Sequence, residues 1–160
     1  FKYNMPDLQA AIGLVQLDRL DAMQRRRADI VAQYDEALRP LDAIELQAPR
    51  PDVDSSNHIY PIRLRGDRLS VGRDQFIEDL RAHNIGASVH FIPIHAHSYY
   101  RDRYGLRPEQ FPVAQREYER ILSLPLSPAH SDEDVEDVIE AVTDIVGERL
   151  RERRRERRAS

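Results

Sequence analysis

Apolar positions recur with a helical period at both ends of the chain and alternate, strand-like, near its middle. Ala10, Ala11, Leu14, Leu17 and Leu20 repeat at helical spacing. The face then turns polar through Arg25, Arg26 and Arg27, and Ile30, Tyr34 and Leu38 resume the stripe. This predicts one long helix from about Pro6 to Leu38. Pro6 suits its first position, where a missing N–H costs nothing, and Pro40 closes it. A helix this long needs two supports. Its first half is expected to lie on another domain or a partner subunit, and its second half to pack locally.

Residues 42–56 form a connection in which Ala43–Gln47 is a short-strand candidate. From His58 to Arg65 the pattern alternates. Tyr60, Ile62 and Leu64 share one face, Ile59, Arg63 and Arg65 the other, and Pro61 argues for an edge strand. Arg73–His83 predicts a short amphipathic helix carrying Phe76, Ile77 and Leu80, with Asn84 as a left-handed cap. Ile85–Phe91 is expected as a second strand, with Ile85, Ala87, Val89 and Phe91 on one face and Gly86, Ser88 and His90 on the other. A loop follows, with one helical turn near Tyr99–Tyr104. Pro112–Leu122 predicts a helix and Leu124–Ser127 a short strand. Ser131-Asp132-Glu133-Asp134 opens the last helix like a capping box, its acids near the positive end of the dipole. Val135, Val138, Ile139, Val142, Ile145 and Val146 form its buried stripe. The pattern predicts an α+β unit: a few-stranded, mostly antiparallel sheet covered by helices and preceded by a long linking helix. Its parts are residues 1–38, 39–147 and 148–160.

Composition narrows the function. The 160 residues suit one compact domain, and a net charge of −4 carries no overall nucleic-acid signature. Cysteine is absent, which removes disulfides and thiolate metal sites. No apolar run approaches a membrane span and no signal-peptide pattern stands at the start, so the expected location is cytoplasmic.

Few residues carry candidate chemistry. The start of the first helix is a natural anion site, because its first N–H groups lack intrahelical partners and the dipole favours negative charge. Lys2 and Asn4 stand just before it, an ammonium and an amide, both suited to a phosphate oxygen. His90 lies on the polar face of the predicted strand, and Phe91-Ile92-Pro93-Ile94-His95 follows. His90, His95 and His97 also invite a metal reading, but Asp102 is the nearest acidic ligand in sequence, and bland loop histidines are commoner. No nucleophile elbow, phosphate-binding glycine loop or zinc motif is present. Seven arginines lie between Arg149 and Arg158. Arg149–Glu152, Glu152–Arg155 and Arg153–Glu156 fall at i,i+3, which favours a solvated helix end over RNA binding.

The opening Phe1-Lys2-Tyr3-Asn4-Met5-Pro6-Asp7-Leu8-Gln9-Ala10-Ala11, together with His58-Ile59-Tyr60-Pro61-Ile62, Asn84-Ile85-Gly86-Ala87-Ser88-Val89-His90-Phe91, Tyr99-Tyr100-Arg101 and Leu122-Ser123-Leu124-Pro125-Leu126-Ser127-Pro128, resembles the second half of a nucleotide-sugar aminotransferase. The family is the DegT/DnrJ/EryC1/StrS group. Order and spacing carry the likeness from Phe1 to about Gly147. The resemblance implies the small C-terminal domain of a fold-type-I enzyme that uses pyridoxal 5'-phosphate (PLP). Such an enzyme works as a homodimer and moves an amino group from L-glutamate to a keto sugar linked to a nucleotide. In the family the cofactor-bearing lysine lies upstream. Lys2, the one lysine here, falls in the wrong motif to replace it, so no catalytic residue is expected on this chain and it is not expected to transaminate alone.

The resemblance also implies site roles. Many members write the opening turn as Gly-Tyr-Asn-Tyr-Arg-Met, and it reaches the phosphate of the partner's cofactor. Here Lys2 stands where they have asparagine and Asn4 where they have arginine, closer to the Tyr-Lys-Tyr-Asn version of the subgroup acting on 4-keto pentose nucleotides. Lys2 and Asn4 are therefore the cofactor-binding candidates. The family's His-Tyr-x-Pro-x-His lines the sugar-nucleotide pocket, making His90, Phe91 and His95 the substrate-binding candidates; Phe91 lacks the tyrosine hydroxyl. Two rivals remain: a relative that dehydrates the sugar with histidine in place of the lysine, and a non-catalytic helical interaction module.

Overall fold

The computed structural model describes residues 3–159. Five helices and three strands follow one another in it: α1 (Asp7–Leu38), β1 (Ile44–Leu46), β2 (Tyr60–Leu64), α2 (Arg73–Ala82), α3 (Ser98–Tyr104), α4 (Pro112–Arg120), β3 (Ile121–Leu124) and α5 (Asp132–Ala159). Single 3-10 turns at Ile94–Ala96 and Pro108–Gln110 flank α3. The strands form one antiparallel sheet in the order β1-β2-β3, with Leu46 opposite Ile62 on one side and Ile62 opposite Leu122 on the other. Alternation sends Tyr60, Ile62 and Leu64 to the buried face. Ile30, Tyr34 and Leu38 of α1, Phe76 and Leu80 of α2, and the Val135/Val142/Ile145/Val146 stripe of α5 cover that face. The α+β expectation holds because the sheet has one apolar face and three helices have one apolar stripe each.

The opposite face is held by charge. Arg63 lies 3.3 Å from Glu45 on β1 and 2.9 Å from Glu117 on α4, and Arg120 reaches Glu45 at 3.0 Å and Glu117 at 2.9 Å. Burial opposes ionisation of Glu117, but hydrogen bonds from Arg120 and the nearby charge of Arg63 outweigh it and hold the carboxyl below its usual range. Arg73 links α2 to α4. It is buried, its guanidinium stacks 4.7 Å over the Tyr118 ring and donates to the Tyr118 carbonyl.

Three expectations are corrected. Pro61 sits in the central strand, not at an edge. Arg65 donates to Ala43, so odd-numbered β2 residues turn their amides toward β1. The nitrogen of Pro61 therefore points past Leu46, where the β1 ladder has already ended. Ile85–Phe91 is not a strand but an extended segment that touches β3 through a single bridge, Ser88 to Ser123. Ile85 and Ala87 pack on the core, whereas Phe91 is 81% exposed and does not share their face. Finally α4 stops at Arg120. Ile121 and Leu122, expected in the helix, pair instead with Arg63 and Ile62, and β3 ends before Pro125, which has no N–H to extend the ladder.

The helix ends are largely as expected. Ser131 and Asp134 form a reciprocal capping box, the Ser131 N–H donating to Asp134 at 2.7 Å and the Asp134 N–H to Ser131 Oγ at 3.1 Å. Asn84 has φ 61°, and the Ile85 N–H returns to the Leu80 carbonyl while the Asn84 N–H returns to Arg81, a complete Schellman closure of α2. The arginine-rich end of α5 is only partly solvated. Arg151, Arg154 and Arg155 are exposed, but Arg149 grips Asp79 of α2, Glu152 accepts from Ser70 at 3.0 Å, and Arg153 donates to the Gly66 carbonyl at 2.8 Å.

Two buried phenols tie α1 to the sheet. The Tyr34 hydroxyl donates to the Pro125 carbonyl at 2.8 Å, the Tyr60 hydroxyl to Asp35 at 2.7 Å, and the rings lie 5.0 Å apart. Burial, with the charge of Asp134 behind it, pushes Tyr34 up to about 12; burial and Asp35 push Tyr60 higher still. Folded-state values above the unfolded ~10 mean that the folded protein holds protons which the unfolded chain releases. The stabilisation is therefore whole below pH ~10 and is lost as pH rises toward and beyond 12. Denaturant midpoints are expected to fall across this window, and Tyr60→Phe is expected to flatten that fall.

Candidate functional site

An open cleft of about 180 Å³ lies where the extended 85–90 segment meets the end of β3. His58, Ser88, His90 and Ser123 supply its polar groups, and Gly86 faces open space where a side chain would stand. The construction starts at Ser123, only 5% exposed between the buried Leu122 and Leu124. Its N–H donates to the Ser88 carbonyl at 2.7 Å, and its carbonyl accepts from the Ser88 N–H at 3.1 Å. Two residues on, His90 Nδ1 meets Ser123 Oγ at 3.0 Å, leaving Nε2 as the nitrogen available to a ligand. Phe91 stands edge-on to the His90 ring at 5.0 Å.

His95 is not brought into this cleft. The residue is 4% exposed, its ring stacked 5.0 Å from Phe111 and its Nε2 held by Gln115 Oε1 at 2.9 Å. The 3-10 turn at Ile94–Ala96 rotates it away from the polar face expected for a continuing strand. His97 is exposed, and among the described residues no three His, Cys, Asp or Glu side chains converge as a metal ion requires. Among the described residues, also, no helix is long and apolar enough to cross a membrane.

Lys2 lies outside the described residues. Asn4 is exposed just before α1, whose start has no side-chain cap, so the N–H groups of Asp7, Leu8 and Gln9 remain available to an anion. Asp7 opposes such an anion with its own charge. This donor set fits a phosphate. The turn is also remote from the cleft. Tyr34 bonds Pro125 at the cleft wall, and 27 helical residues separate it from Asp7, roughly 40 Å of α1. Between them Leu8, Ile12, Leu14, Val15 and Leu17 are exposed. The two halves of the expected site therefore cannot meet within one chain.

Sequence reasoning missed Ser123 and Gln115, the residues that fix the two histidine rings. The one available signal was a serine interrupting the apolar run Ile121–Leu124.

The DegT/DnrJ/EryC1/StrS aminotransferase family pattern matches residues 1–143. The chain belongs to this family. Among its relatives, the spore coat polysaccharide biosynthesis protein SpsC of Bacillus subtilis is 46% identical over 141 residues, 88% of this chain and 36% of SpsC. The aminotransferase TlmJ from Streptoalloteichus hindustanus superposes with a TM-score of 0.76 at 34% identity, over 88% of this chain and 36% of TlmJ. The proposed sugar aminotransferase Spr1654 from Streptococcus pneumoniae, in its PLP form, gives a TM-score of 0.82 at 33% identity, over 92% and 37% of the two chains. The chain thus spans about a third of the length of the relatives it matches, and its fold is the corresponding part of a PLP aminotransferase.

Proposed function

We propose that this chain supplies the C-terminal portion of a PLP-dependent enzyme that moves an amino group from L-glutamate to a keto sugar linked to a nucleotide, acting as a cytoplasmic homodimer. The family match across residues 1–143 carries the reading, because it spans both the turn before α1 and the His90 cleft. The separation of those two elements along α1 supports the dimer: each serves a site completed by another copy. When bound, PLP supplies the electron sink that lets glutamate become 2-oxoglutarate while the keto carbon receives the amine. This chain's residues bind and orient. Lys2 and Asn4 hold the cofactor phosphate of the partner subunit, with the free N–H groups of α1 beneath it. His90 donates to or accepts from the nucleotide-sugar, and Phe91 gives that pocket an apolar wall. His95, packed under Phe111, shapes the segment rather than touching the sugar.

The test uses the full-length protein with PLP. On addition of L-glutamate it is expected to release one equivalent of 2-oxoglutarate per cofactor and leave the amine form, which a nucleotide-linked keto sugar then discharges. No 2-oxoglutarate, with consumption of the sugar by dehydration, would move the protein to the dehydrating relatives. Lys2→Ala with Asn4→Ala is expected to weaken cofactor retention by about tenfold or more, since two hydrogen bonds to a dianion are lost. Dialysis followed by cofactor absorbance measures it.

A further inference from the structure

Resting on the sugar-aminotransferase reading, we infer that Ser123 is a positioning residue that fixes neutral His90 as a hydrogen-bond donor, through Nε2–H, to an oxygen of the nucleotide-linked substrate. Ser123 Oγ has one partner among the described residues, His90 Nδ1 at 3.0 Å. Its backbone is already spent on Ser88 in both directions. Ser123 as a residue is only 5% exposed, and a buried O–H left undonated is costly. The hydroxyl therefore donates to Nδ1, and the single ring proton of neutral His90 must sit on Nε2. The opposite arrangement, Nδ1–H donating to Oγ, would leave the serine proton with no acceptor among the described residues.

The rest of the cleft agrees with a ligand oxygen as the target. His90 lines it beside His58 and Ser88, no carboxylate is among its lining residues, and Gly86 leaves the approach open. Ser88 and His90 stand two residues apart on the extended segment that the same serine anchors, so one residue sets the wall through its backbone and the donor through its side chain.

Histidine labelled with 15N in the full-length protein reads the proton position directly. At about pH 8, where imidazole is neutral, His90 is expected to carry its proton on Nε2. Ser123→Ala is expected to give a mixture of the two tautomers and Ser123→Thr to restore the single one. In the aminotransferase assay Ser123→Ala is expected to raise KM for the nucleotide sugar about tenfold, the value of one hydrogen bond. The expected kcat and the KM for L-glutamate stay within about twofold of wild type. Inhibition by UDP or dTDP alone locates the oxygen: about tenfold weaker in Ser123→Ala for a phosphate oxygen, unchanged for one on the sugar. An Nδ1–H tautomer in the wild type, an unchanged sugar KM, or equal falls in kcat for the alanine and threonine variants would overturn the assignment. Absence of any glutamate-dependent reaction would instead remove the aminotransferase reading, while the tautomer measurement still judges the Ser123–His90 pair.

Discussion

Alanine at Tyr34 is expected to destabilise the fold by about 3–5 kcal/mol, the range for losing a large buried aromatic side chain. Tyr34 is fully buried, sits between Ile30 and Leu38 on the one stretch of α1 that enters the core, and contacts the Tyr60 ring. Its hydroxyl also holds the Pro125 carbonyl, at the wall of the cleft. Total stabilities of single domains are of the order of 5–15 kcal/mol, so this one truncation removes a large share. Tyr34→Phe keeps the ring and gives up only the hydrogen bond, an expected loss of about 1 kcal/mol. Denaturant midpoints at constant m-value separate the two. Equal, small losses in both variants would mean that α1 is not anchored through this ring.

Arg149→Ala is expected to cost about 2–3 kcal/mol, below the full penalty for breaking a buried ion pair but above that of an exposed one. Arg149 places Nε at 2.8 Å and Nη2 at 2.7 Å on the two carboxylate oxygens of Asp79, with side-chain exposures of 20% and 13%, and its third nitrogen reaches Glu152 at 2.8 Å. Removing it strands Asp79 in a poorly solvated place and releases the end of α5 from α2. Arg149→Lys is expected to recover only part, because an ammonium cannot reproduce the two-pronged geometry. If the pair is the cause, Asp79→Asn combined with Arg149→Ala costs less than the sum of the single changes. Arg149 lies beyond residue 143, where the family match ends, whereas its partner Asp79 lies within the matched span.

Much of the fold was legible from local pattern. The stripe Ile30, Tyr34, Leu38 and the stripe from Val135 to Val146 name the buried faces of α1 and α5 because helical spacing is a short-range property. The capping box at Ser131 and the left-handed Asn84 were legible for the same reason: their bonds close within a few residues. Leu8, Ile12, Leu14, Val15 and Leu17, in the half of α1 expected to lie on another domain or subunit, are exposed.

The site was only half legible. The family motif pointed to His90, Phe91 and His95 together, yet the fold parts them. The segment after His90 turns through a 3-10 helix, so the second histidine is buried beneath Phe111 while the first meets Ser123, 33 residues away. No window of sequence contains that pair.

What the sequence by itself determined was the set of elements and their apolar faces, since helix period, strand alternation and capping depend on neighbours within about four residues. Tertiary structure alone decided that Pro61 enters the central strand, that Ile121 and Leu122 leave a helix for a ladder, and that Ser123 takes hold of His90. Each of those outcomes depends on which distant segment lies alongside. That choice is set by burying one sheet face under three helices at once, a free energy that no local stretch of chain contains.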